Sequence, residues 1–461
     1  MRAWPALVAL LALACSPAPP ERQDPALVVL VSLDTLRADR VSAYGYERNT
    51  TPHLDALAAE GVLFERVLAQ ATNTLVSHKS MLTGKQPLRL VHEQSGATAE
   101  LLRSLKKPHE FLVGTLSVTP TTLAPMFQSD GYRTAAFTGA VWMTEEFRFQ
   151  DGFDAFHAEK DAGLAGHVPA ALDWLDGPGA DKRFLFLHSY DIHCPYTPPE
   201  PFESLFCPDH SIHVSLENQC PKASLEEQAL TARDRVAISD HYDGGVVYAD
   251  DRMGAFFDGL RERGLWDEAL IVVTSDHGES LGAHGQLGHG GLYPEQLFVP
   301  LIAKFPASWR VAPRRVADAV ELTDLLPTLC EIVRQPIPEG VDGRSLLGAI
   351  DGERAHRRVV AQLSFNEFVP ETGWITNVAK RAAYDPDGWF LVMDGIAGTR
   401  ELLRVEDLRT AETLTDPELE ASLSATVLER EVFDAQGTFR MPMEHAHSPQ
   451  ALKELRELGY L

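Results

Sequence analysis

The sequence is short of basic residues, and it contains no apolar run long enough to cross a bilayer. Its 461 residues hold 41 lysines and arginines against 66 aspartates and glutamates, a formal net charge of -25 at pH 7. So acidic a chain disfavours an extended polyanion such as DNA, although it stays compatible with a local anion pocket. No segment recurs at a fixed period, which excludes a solenoid. With 44% hydrophobic and 23% charged residues, we expect a globular protein of two or three domains that binds no nucleic acid.

The first residues read MRAWPALVALLALACSPAPP, an apolar run from Ala6 to Ala14 followed by Cys15. The run is too short for a membrane span, so it predicts the hydrophobic region of an export signal. The stretch ALAC is similar to a bacterial lipoprotein cleavage box, which would make Cys15 a lipidated first residue. A plain signal peptide cut nearby is the alternative. We assign residues 1–15 to the signal and 16–25 to a linker, and expect a periplasmic or outer-membrane protein that reaches the membrane only through this anchor.

Cysteine is also scarce, and only four remain beyond Cys15. In an exported protein Cys207 and Cys220 could close a short loop through a disulfide, or Cys194 could supply one of the thiols. Sequence does not determine which pair forms. Cys330 lies in the apolar stretch LLPTLCEIV, which predicts a buried free thiol.

Short, nearly continuous apolar runs alternate with helical patterns along most of the chain. Such runs are typical of parallel strands buried on both faces, and they lie at 26–33, 133–137, 184–187, 269–275 and 298–303. Helical patterns between them include LDALAAEG and YADDRMGAFFDGLRERG, the latter with Gly264 as a natural stop. The alternation predicts an α/β fold, a doubly wound and mostly parallel sheet flanked by helices.

After about residue 350 the pattern changes to charged segments and short alternating stretches such as WFLVMD and ELLRVEDL. This texture predicts a smaller C-terminal α+β subdomain packed on the main one. We place the main domain at residues 26–352 and the subdomain at 353–461.

Polar groups follow three of the buried runs. Asp34 follows the first, HSYDIHCPY the one at 184–187, and Asp276 and His277 the one at 269–275. Taken alone, an aspartate after a strand is commonly a turn or helix cap, and a lone histidine is usually a satisfied structural residue. The carboxyl ends of parallel strands, however, meet at one edge of the sheet. The coincidence of three such ends therefore favours a metal site there.

The stretch ATNTLVSHKSMLTG places Thr74 at the start of a predicted helix. A threonine N-cap is a sufficient structural interpretation. A helix N-terminus is also an anion site, and a hydroxyl beside a divalent metal there would ionise more easily. His78, four residues on, would share a helix face with Thr74. Cap and nucleophile are compatible roles for Thr74.

With these residues assembled, the chain strongly resembles the sulfatase family of the alkaline phosphatase superfamily. The resemblance is carried by VSLDTLRADRVSAYGY, MLTG, FLFLHSYDIHCPYTPP, VVTSDHGESLGAHGQLGHGGLY, VELTDLLPTL and VDGRSLL, in that order. It extends from about residue 26 to the end of the chain, where LKELRELGYL is similar to bacterial members. It implies the alkaline-phosphatase-like version of the predicted fold.

The resemblance also implies roles for individual residues. Asp34, Asp276 and His277 fall on metal-ligand positions, and Thr74 falls on the nucleophile, itself close to the metal. Two histidines fall on substrate-contacting positions: His193 in DIHCPY, and His289 in GHGGLY where members place Lys or His against the anionic group. His284 is a further candidate. The implied cofactor is a divalent cation, Ca²⁺ by family, although Mn²⁺ or Zn²⁺ would also suit a set containing histidine.

The nucleophile helix departs from the family pattern. Members usually carry Cys or Ser, any residue, Pro, Ser and Arg, where this sequence has TLVSH with Thr74 first and His78 last. Active sulfatases oxidise that Cys or Ser to formylglycine; threonine cannot become an aldehyde because its β-carbon carries a methyl group. Direct attack by a threonine oxygen is implied instead, as in related nucleotide pyrophosphatases and phosphoethanolamine transferases. A neutral histidine also stabilises an oxyanion less than the guanidinium that the family carries at this position. The substitution therefore favours phosphate esters over sulfate esters as the substrate class.

We therefore expect an exported hydrolase of small-molecule or glycan sulfate or phosphate esters, with His78, His193 and His289 positioning the anion or protonating the leaving oxygen. One alternative is a phosphoethanolamine-type transferase, favoured by the tether and the threonine, although such members usually carry several transmembrane helices. The other is a non-catalytic binding protein on the same fold. The intact Asp34, Asp276 and His277 argue against that second alternative, because a dead site has no reason to keep a full ligand set.

Overall fold

The computed structural model describes residues 22–96, 108–139, 141–159, 162–207, 230–354, 356–369, 373–395 and 397–429. The predicted lipidation at Cys15 and the predicted disulfide partner Cys220 lie outside the described residues. Cys330 is buried as a free thiol, as the sequence predicts. No helix in these ranges is both long and apolar enough to cross a membrane.

The strands fall into a central sheet, a small hairpin and a C-terminal sheet. They are β1 Leu27–Leu33, β2 Val62–Leu68, β3 Arg133–Thr138, β4 Ala155–Ala158, β5 Arg183–Ser189, β6 Ala269–Thr274, β7 Ser280–Leu281, β8 Leu287–Gly288, β9 Phe298–Val299, β10 Leu301–Lys304, β11 Arg314–Glu321, β12 Val359–Val369, β13 Gly373–Asp385, β14 Trp389–Asp394, β15 Thr399–Glu406 and β16 Arg409–Leu414. Strands β7 and β8 pair only with each other.

The helices flank the central sheet or cover the C-terminal one. They are α1 Pro52–Glu60, α2 Thr74–Thr83, α3 Pro87–Ser95, α4 Pro108–Ser117, α5 Leu123–Ser129, α6 Gly163–Asp176, α7 Ala232–Glu262, α8 Pro294–Leu297, α9 Leu325–Ile332, α10 Leu347–Asp351 and α11 Pro417–Glu429.

The central sheet runs in the order β11-β2-β10-β6-β1-β5-β3-β4, with β9 paired to β2. Most neighbours are parallel, and β9 and β10 are the antiparallel strands. Alternate residues of β1 enter two different hydrophobic cores, so the sheet is buried on both faces. The predicted doubly wound, mostly parallel α/β fold is confirmed.

Two predicted elements differ from the observed ones. The apolar run at 298–303 is two strands, because Pro300 has no N–H to donate to the ladder. The helix predicted around 248–264 is part of the 31-residue α7. Gly244 lies within it, and a side chain there would meet the Phe202 carbonyl oxygen at 2.4 Å. The glycine therefore allows close packing rather than ending the helix.

The C-terminal sheet is fully antiparallel in the order β12-β13-β14-β15-β16, with α11 packed on one face through Leu423 and Val427. Its other face joins the core of the main domain, where the Phe298 ring lies 5.0 Å from Tyr384 and 6.0 Å from Phe390. The predicted α+β subdomain is therefore confirmed, and it shares a core with the larger unit.

The strand register aligns the carboxyl ends of β1, β5 and β6, the three strands after which the sequence places the polar groups. Ser32 on β1 pairs with His188 on β5 and with Thr274 on β6. The residues that follow these three strands therefore emerge at one edge of the sheet.

Candidate active site

Three predicted metal ligands meet at this edge. Asp34, Asp276 and His277 are fully buried, and one ligand atom from each lies within 4.8 Å of the others. Asp34 Oδ1, Asp276 Oδ2 and His277 Nε2 have no hydrogen-bond partner among the described residues. Buried polar atoms are rarely left in this state without a ligand. Two carboxylate oxygens and an imidazole nitrogen are a donor set that fits a divalent cation.

The ring of His277 is oriented for ligation. Its Nδ1 lies 2.9 Å from the carbonyl oxygen of Gly278. A carbonyl only accepts, so the proton resides on Nδ1 and Nε2 keeps its lone pair. This is the tautomer that a metal-bound histidine needs.

The charge balance of the group also favours a cation. Burial raises the pKa of Asp34 well above its ordinary value, and the negative charge of Asp276 raises it further. Two ionised carboxylates this close and this deep repel each other with little screening. A bound cation would remove that repulsion.

A strained turn directs Asp34 into the site. The next residue, Thr35, has a φ of 59°, a left-handed conformation that is unfavourable for a β-branched side chain. Its carbonyl accepts a 2.7 Å hydrogen bond from the Tyr242 hydroxyl, and its N–H lies 3.4 Å from Asp276 Oδ1. Contacts from distant parts of the chain therefore hold the strain in place.

Thr74 is the first residue of α2, and its neighbour Asn73 is the N-cap. The Asn73 Oδ1 accepts from the Val76 N–H at 3.3 Å, so the predicted threonine cap is wrong. Thr74 Oγ1 instead donates to Asp34 Oδ2 at 3.1 Å. The threonine hydroxyl is therefore turned toward the predicted metal ligands. An N-cap side chain would fold back on its own helix.

His78 lies one helical turn below Thr74. Its Nδ1 donates to the Thr74 carbonyl at 2.8 Å, and its Nε2 lies 2.9 Å from the Ser32 hydroxyl. Burial lowers its pKa, so the ring is neutral at pH 7. Contact between His78 and an anion, as the sequence suggested, would require one of these bonds to break. The geometry places His78 behind Thr74, where it supports the start of the helix.

His193 and His289, which the sequence predicts to contact the substrate anion, lie together beside the candidate metal ligand His277. Their ring centroids are 5.3 Å apart, and the His289 ring lies 4.5 Å from that of His277. Burial lowers the pKa of both to about 4, and for His193 the neighbouring His289 lowers it further. Both rings are therefore neutral near pH 7 and suited to donating or accepting single hydrogen bonds.

His284 lies further out, where the loop after β7 meets the C-terminal sheet. Its Nδ1 is 2.9 Å from Glu295 Oε1, and its ring stacks on Tyr293 at 3.8 Å. The Tyr293 hydroxyl donates to Glu401 of β15 at 3.0 Å. His284 therefore takes part in the contact between the two units.

Two buried residues of the site were not predicted. His188 Nε2 lies 3.2 Å from Asp34 Oδ2, and Glu279 Oε1 lies 3.3 Å from His289 Nδ1. Burial raises the pKa of Glu279 to about 7. Both stand inside motifs that carry the resemblance, HSYDIHCPY and SDHGE. Their position within those motifs was the available signal, but it indicates neither contact.

Known proteins resemble the chain over most of its length. Residues 26–334 match the family model described as Sulfatase. A multifunctional alkaline phosphatase superfamily protein of Trinickia caryophylli is 27% identical over 397 residues, 69% of this chain and 76% of that protein. An arylsulfatase of Clostridium perfringens is 25% identical over 381 residues, 70% of this chain and 78% of that protein.

The fold is also similar to that of a solved structure. The crystal structure of the phosphonate monoester hydrolase of Agrobacterium radiobacter aligns with a TM-score of 0.67 and 20% identity, covering 88% of this chain and 95% of that one. The region matched by the family model exceeds half of the chain and contains Asp34, Thr74, Asp276 and His277. The chain therefore belongs to the sulfatase family of the alkaline phosphatase superfamily, a family of ester hydrolases.

Proposed function

We propose that this protein is an exported, metal-dependent hydrolase that cleaves sulfate or phosphate esters of small molecules or glycans with Thr74 as its nucleophile. The observation that carries the proposal is the 3.1 Å contact of Thr74 Oγ1 with Asp34, beside three ligand atoms that lack hydrogen-bond partners in the described chain. Export and anchoring rest on the signal and on Cys15.

Asp34, Asp276 and His277 would hold the cation. When bound, a divalent cation lowers the pKa of an adjacent hydroxyl and offsets the negative charge of the ester. By family the ion is Ca²⁺, and the histidine in the set would also suit Mn²⁺ or Zn²⁺.

The side chains around Thr74 define the chemical steps. Asp34 Oδ2 orients the Thr74 hydroxyl, whose oxygen attacks phosphorus or sulfur as it loses its proton. The Thr74 proton passes to Asp34 Oδ2 and from there to the leaving oxygen, as the bond from that oxygen to phosphorus or sulfur breaks. Water then attacks the same phosphorus or sulfur atom, and the threonine oxygen leaves with one proton from the water, which restores the Thr74 hydroxyl. Neutral His289 can donate an Nε2–H hydrogen bond to the anionic oxygens when Glu279 is protonated against its Nδ1. Neutral His193 donates its single proton from Nδ1 to the Cys194 carbonyl, which leaves its Nε2 as an acceptor. The N-terminal end of α2 adds a favourable dipole for the same charge.

Phosphate or phosphonate esters are the preferred class within this proposal. Formylglycine cannot form from Thr74, which removes the step by which sulfatases expel sulfate. The named relatives include a multifunctional superfamily protein and an arylsulfatase, and one structural neighbour is a phosphonate monoester hydrolase. They support testing both ester classes.

An aryl ester panel tests the proposal. Nitrophenyl sulfate, phosphate, phosphodiester and phenylphosphonate substrates are assayed with Ca²⁺, Mn²⁺ and Zn²⁺ on wild type, Thr74→Ala and Thr74→Ser. Wild type and Thr74→Ser should turn over at least one ester, and Thr74→Ala should fall by about 10³-fold or more, because removal of a nucleophile leaves only binding effects. Folded, metal-loaded wild type that is inert to the whole panel would refute the proposal, as would a fully active Thr74→Ala.

A further inference from the structure

His188 contacts the metal ligand that also holds the nucleophile. It is fully buried near the end of β5, and the register that pairs it with Ser32 brings it beside Asp34. Its Nε2 lies 3.2 Å from Asp34 Oδ2. Asp34 would be ionised when it holds a cation, and an ionised carboxylate only accepts hydrogen bonds, so in that state Nε2 carries the proton and donates it.

The two oxygens of Asp34 have different surroundings. Oδ2 accepts from the Thr74 hydroxyl at 3.1 Å and from His188 at 3.2 Å. Oδ1 is buried and has no hydrogen-bond partner among the described residues. The carboxylate therefore presents one oxygen to protein donors and keeps the other for a ligand.

This division depends on His188 once Thr74 reacts. When Thr74 Oγ1 bonds to phosphorus or sulfur, it has no proton to donate to Oδ2. His188 is then the side-chain donor that remains to Oδ2 in the described chain. The terminal torsion of an aspartate is broad, so a carboxylate without a fixed partner turns easily.

The His188 ring is itself held firmly. It makes edge contacts with His78 at 5.0 Å and with Tyr190 at 4.8 Å. Its carbonyl oxygen lies 3.2 Å from His167 Nδ1. The ring contacts with His78 and Tyr190 restrict rotation of the His188 ring, so its Nε2 can fix the orientation of the Asp34 carboxylate.

We propose that His188 is a positioning residue that holds the Asp34 carboxylate with Oδ1 available to the cation and Oδ2 on the nucleophile. The part concerning Thr74 rests on the proposed function, and the part concerning the cation does not. Removal of a residue that hydrogen-bonds to a metal ligand typically lowers metal affinity by about 10- to 100-fold. We expect a loss of about this size when His188 is replaced.

Metal titration tests this role without relying on turnover. Chelator-stripped wild type, His188→Leu and His188→Gln are titrated calorimetrically with Ca²⁺, Mn²⁺ and Zn²⁺. We expect His188→Leu to bind about 10- to 100-fold more weakly. The metal affinity of His188→Gln should stay within about threefold of that of wild type. Its amide N–H can replace Nε2–H, and the proposed role of His188 requires only this hydrogen bond to the Asp34 carboxylate. His167→Leu is the matched control, since it contacts the His188 backbone but not Asp34.

Several outcomes decide the matter. Equal metal affinity in folded His188→Leu and wild type overturns the proposal, as does wild type that binds none of the three cations. If His188→Leu does not fold, His188→Asn replaces it, because its amide is too short to reach Asp34. Loss of affinity in His188→Leu with recovery in His188→Gln supports the proposal even if wild type hydrolyses no ester. In that event only the proposed function fails.

Discussion

At the scale of single residues, Asp34 connects the candidate cation site with the proposed nucleophile, Thr74. One of its oxygens holds Thr74 and His188, and the other has no partner in the described chain. Such a group is unfavourable for the stability of the metal-free protein, because a second buried carboxylate, Asp276, faces it. Function and stability therefore conflict at this residue.

The substitution Asp34→Asn should reveal that conflict. The amide oxygen can still accept from Thr74 and His188, while the repulsion with Asp276 disappears. We expect the chelator-stripped variant to be more stable than stripped wild type by about 1–3 kcal/mol, and to gain nothing from added metal. Urea unfolding with and without chelator measures both. A variant less stable than wild type under chelation contradicts the repulsion.

Lys79 is a second residue whose burial has a measurable consequence. Its Nζ donates to the Thr119 carbonyl at 2.5 Å and lies 4.5 Å from the Phe149 ring. Burial lowers its pKa to about 7, with Asp151 acting in the opposite direction and Arg148 in the same one. Above that pH the folded chain releases a proton that the unfolded chain keeps until about pH 10.5.

The stability contribution of Lys79 should therefore rise with pH between about 7 and 10.5. Comparison with Lys79→Met, which keeps the length without the charge, removes the contribution of other groups. The unfolding free energy of wild type should rise relative to that of Lys79→Met by about 1 kcal/mol per pH unit in this window. Parallel stability profiles for the two proteins would show that Lys79 stays charged in the folded state.

At the scale of elements, the start of α2 determines where Thr74, the proposed nucleophile, lies. Asn73 and Thr74 are both good N-cap residues, and the sequence-based interpretation places only Thr74 at the cap. The helix begins one residue earlier than that interpretation required, with Asn73 as the cap. The reason is tertiary, because the Thr74 hydroxyl is taken by Asp34 from another strand.

Removal of the cap should weaken α2 and displace Thr74. We expect Asn73→Ala to lower the unfolding free energy by about 1 kcal/mol, and Asn73→Asp or Asn73→Ser to lower it much less. Urea unfolding measures the order of the variants. Thr74→Val is the informative comparison, because it removes a hydroxyl that does not cap. Equal stability of Asn73→Ala and Asn73→Asp would mean that the cap contributes nothing.

At the scale of the whole molecule, the C-terminal sheet and the main domain are tied together. Phe390 packs with Phe298 in the shared core, and Gln362 N–H donates to the Gln70 carbonyl at 2.8 Å. Arg409 of β16 bonds Asp39 at 2.8 Å, and Asp39 also pairs with Arg37 close to the site. The two units should therefore unfold together.

The substitution Phe390→Ala tests this coupling. Loss of a buried phenylalanine from a shared core should cost about 3–5 kcal/mol and shift one cooperative transition. Far-UV circular dichroism and tryptophan fluorescence should report the same midpoint in urea. Arg400→Ala, at an exposed position on β15, is the control and should change stability by less than about 0.5 kcal/mol. Two separate transitions in Phe390→Ala would show that the units unfold independently.

The sequence by itself determined the fold class and the choice of candidate metal ligands, and it closed the formylglycine route. Apolar runs buried on both faces require a sheet covered by helices, and parallel strands bring Asp34, Asp276 and His277 to one edge whatever the details. The methyl group of Thr74 is covalent, so no folding can restore an aldehyde.

Only the tertiary structure decided which atoms meet. The partner of each Asp34 oxygen, the contact of His188, the cap at Asn73 and the bonds that hold His78 depend on strand register and rotamer packing. Each of these contacts would be lost by a shift in position of one residue or of a few tenths of an ångström between groups that lie far apart in the chain. Sequence patterns specify which face or edge a residue occupies, whereas hydrogen bonds require the positions of individual atoms.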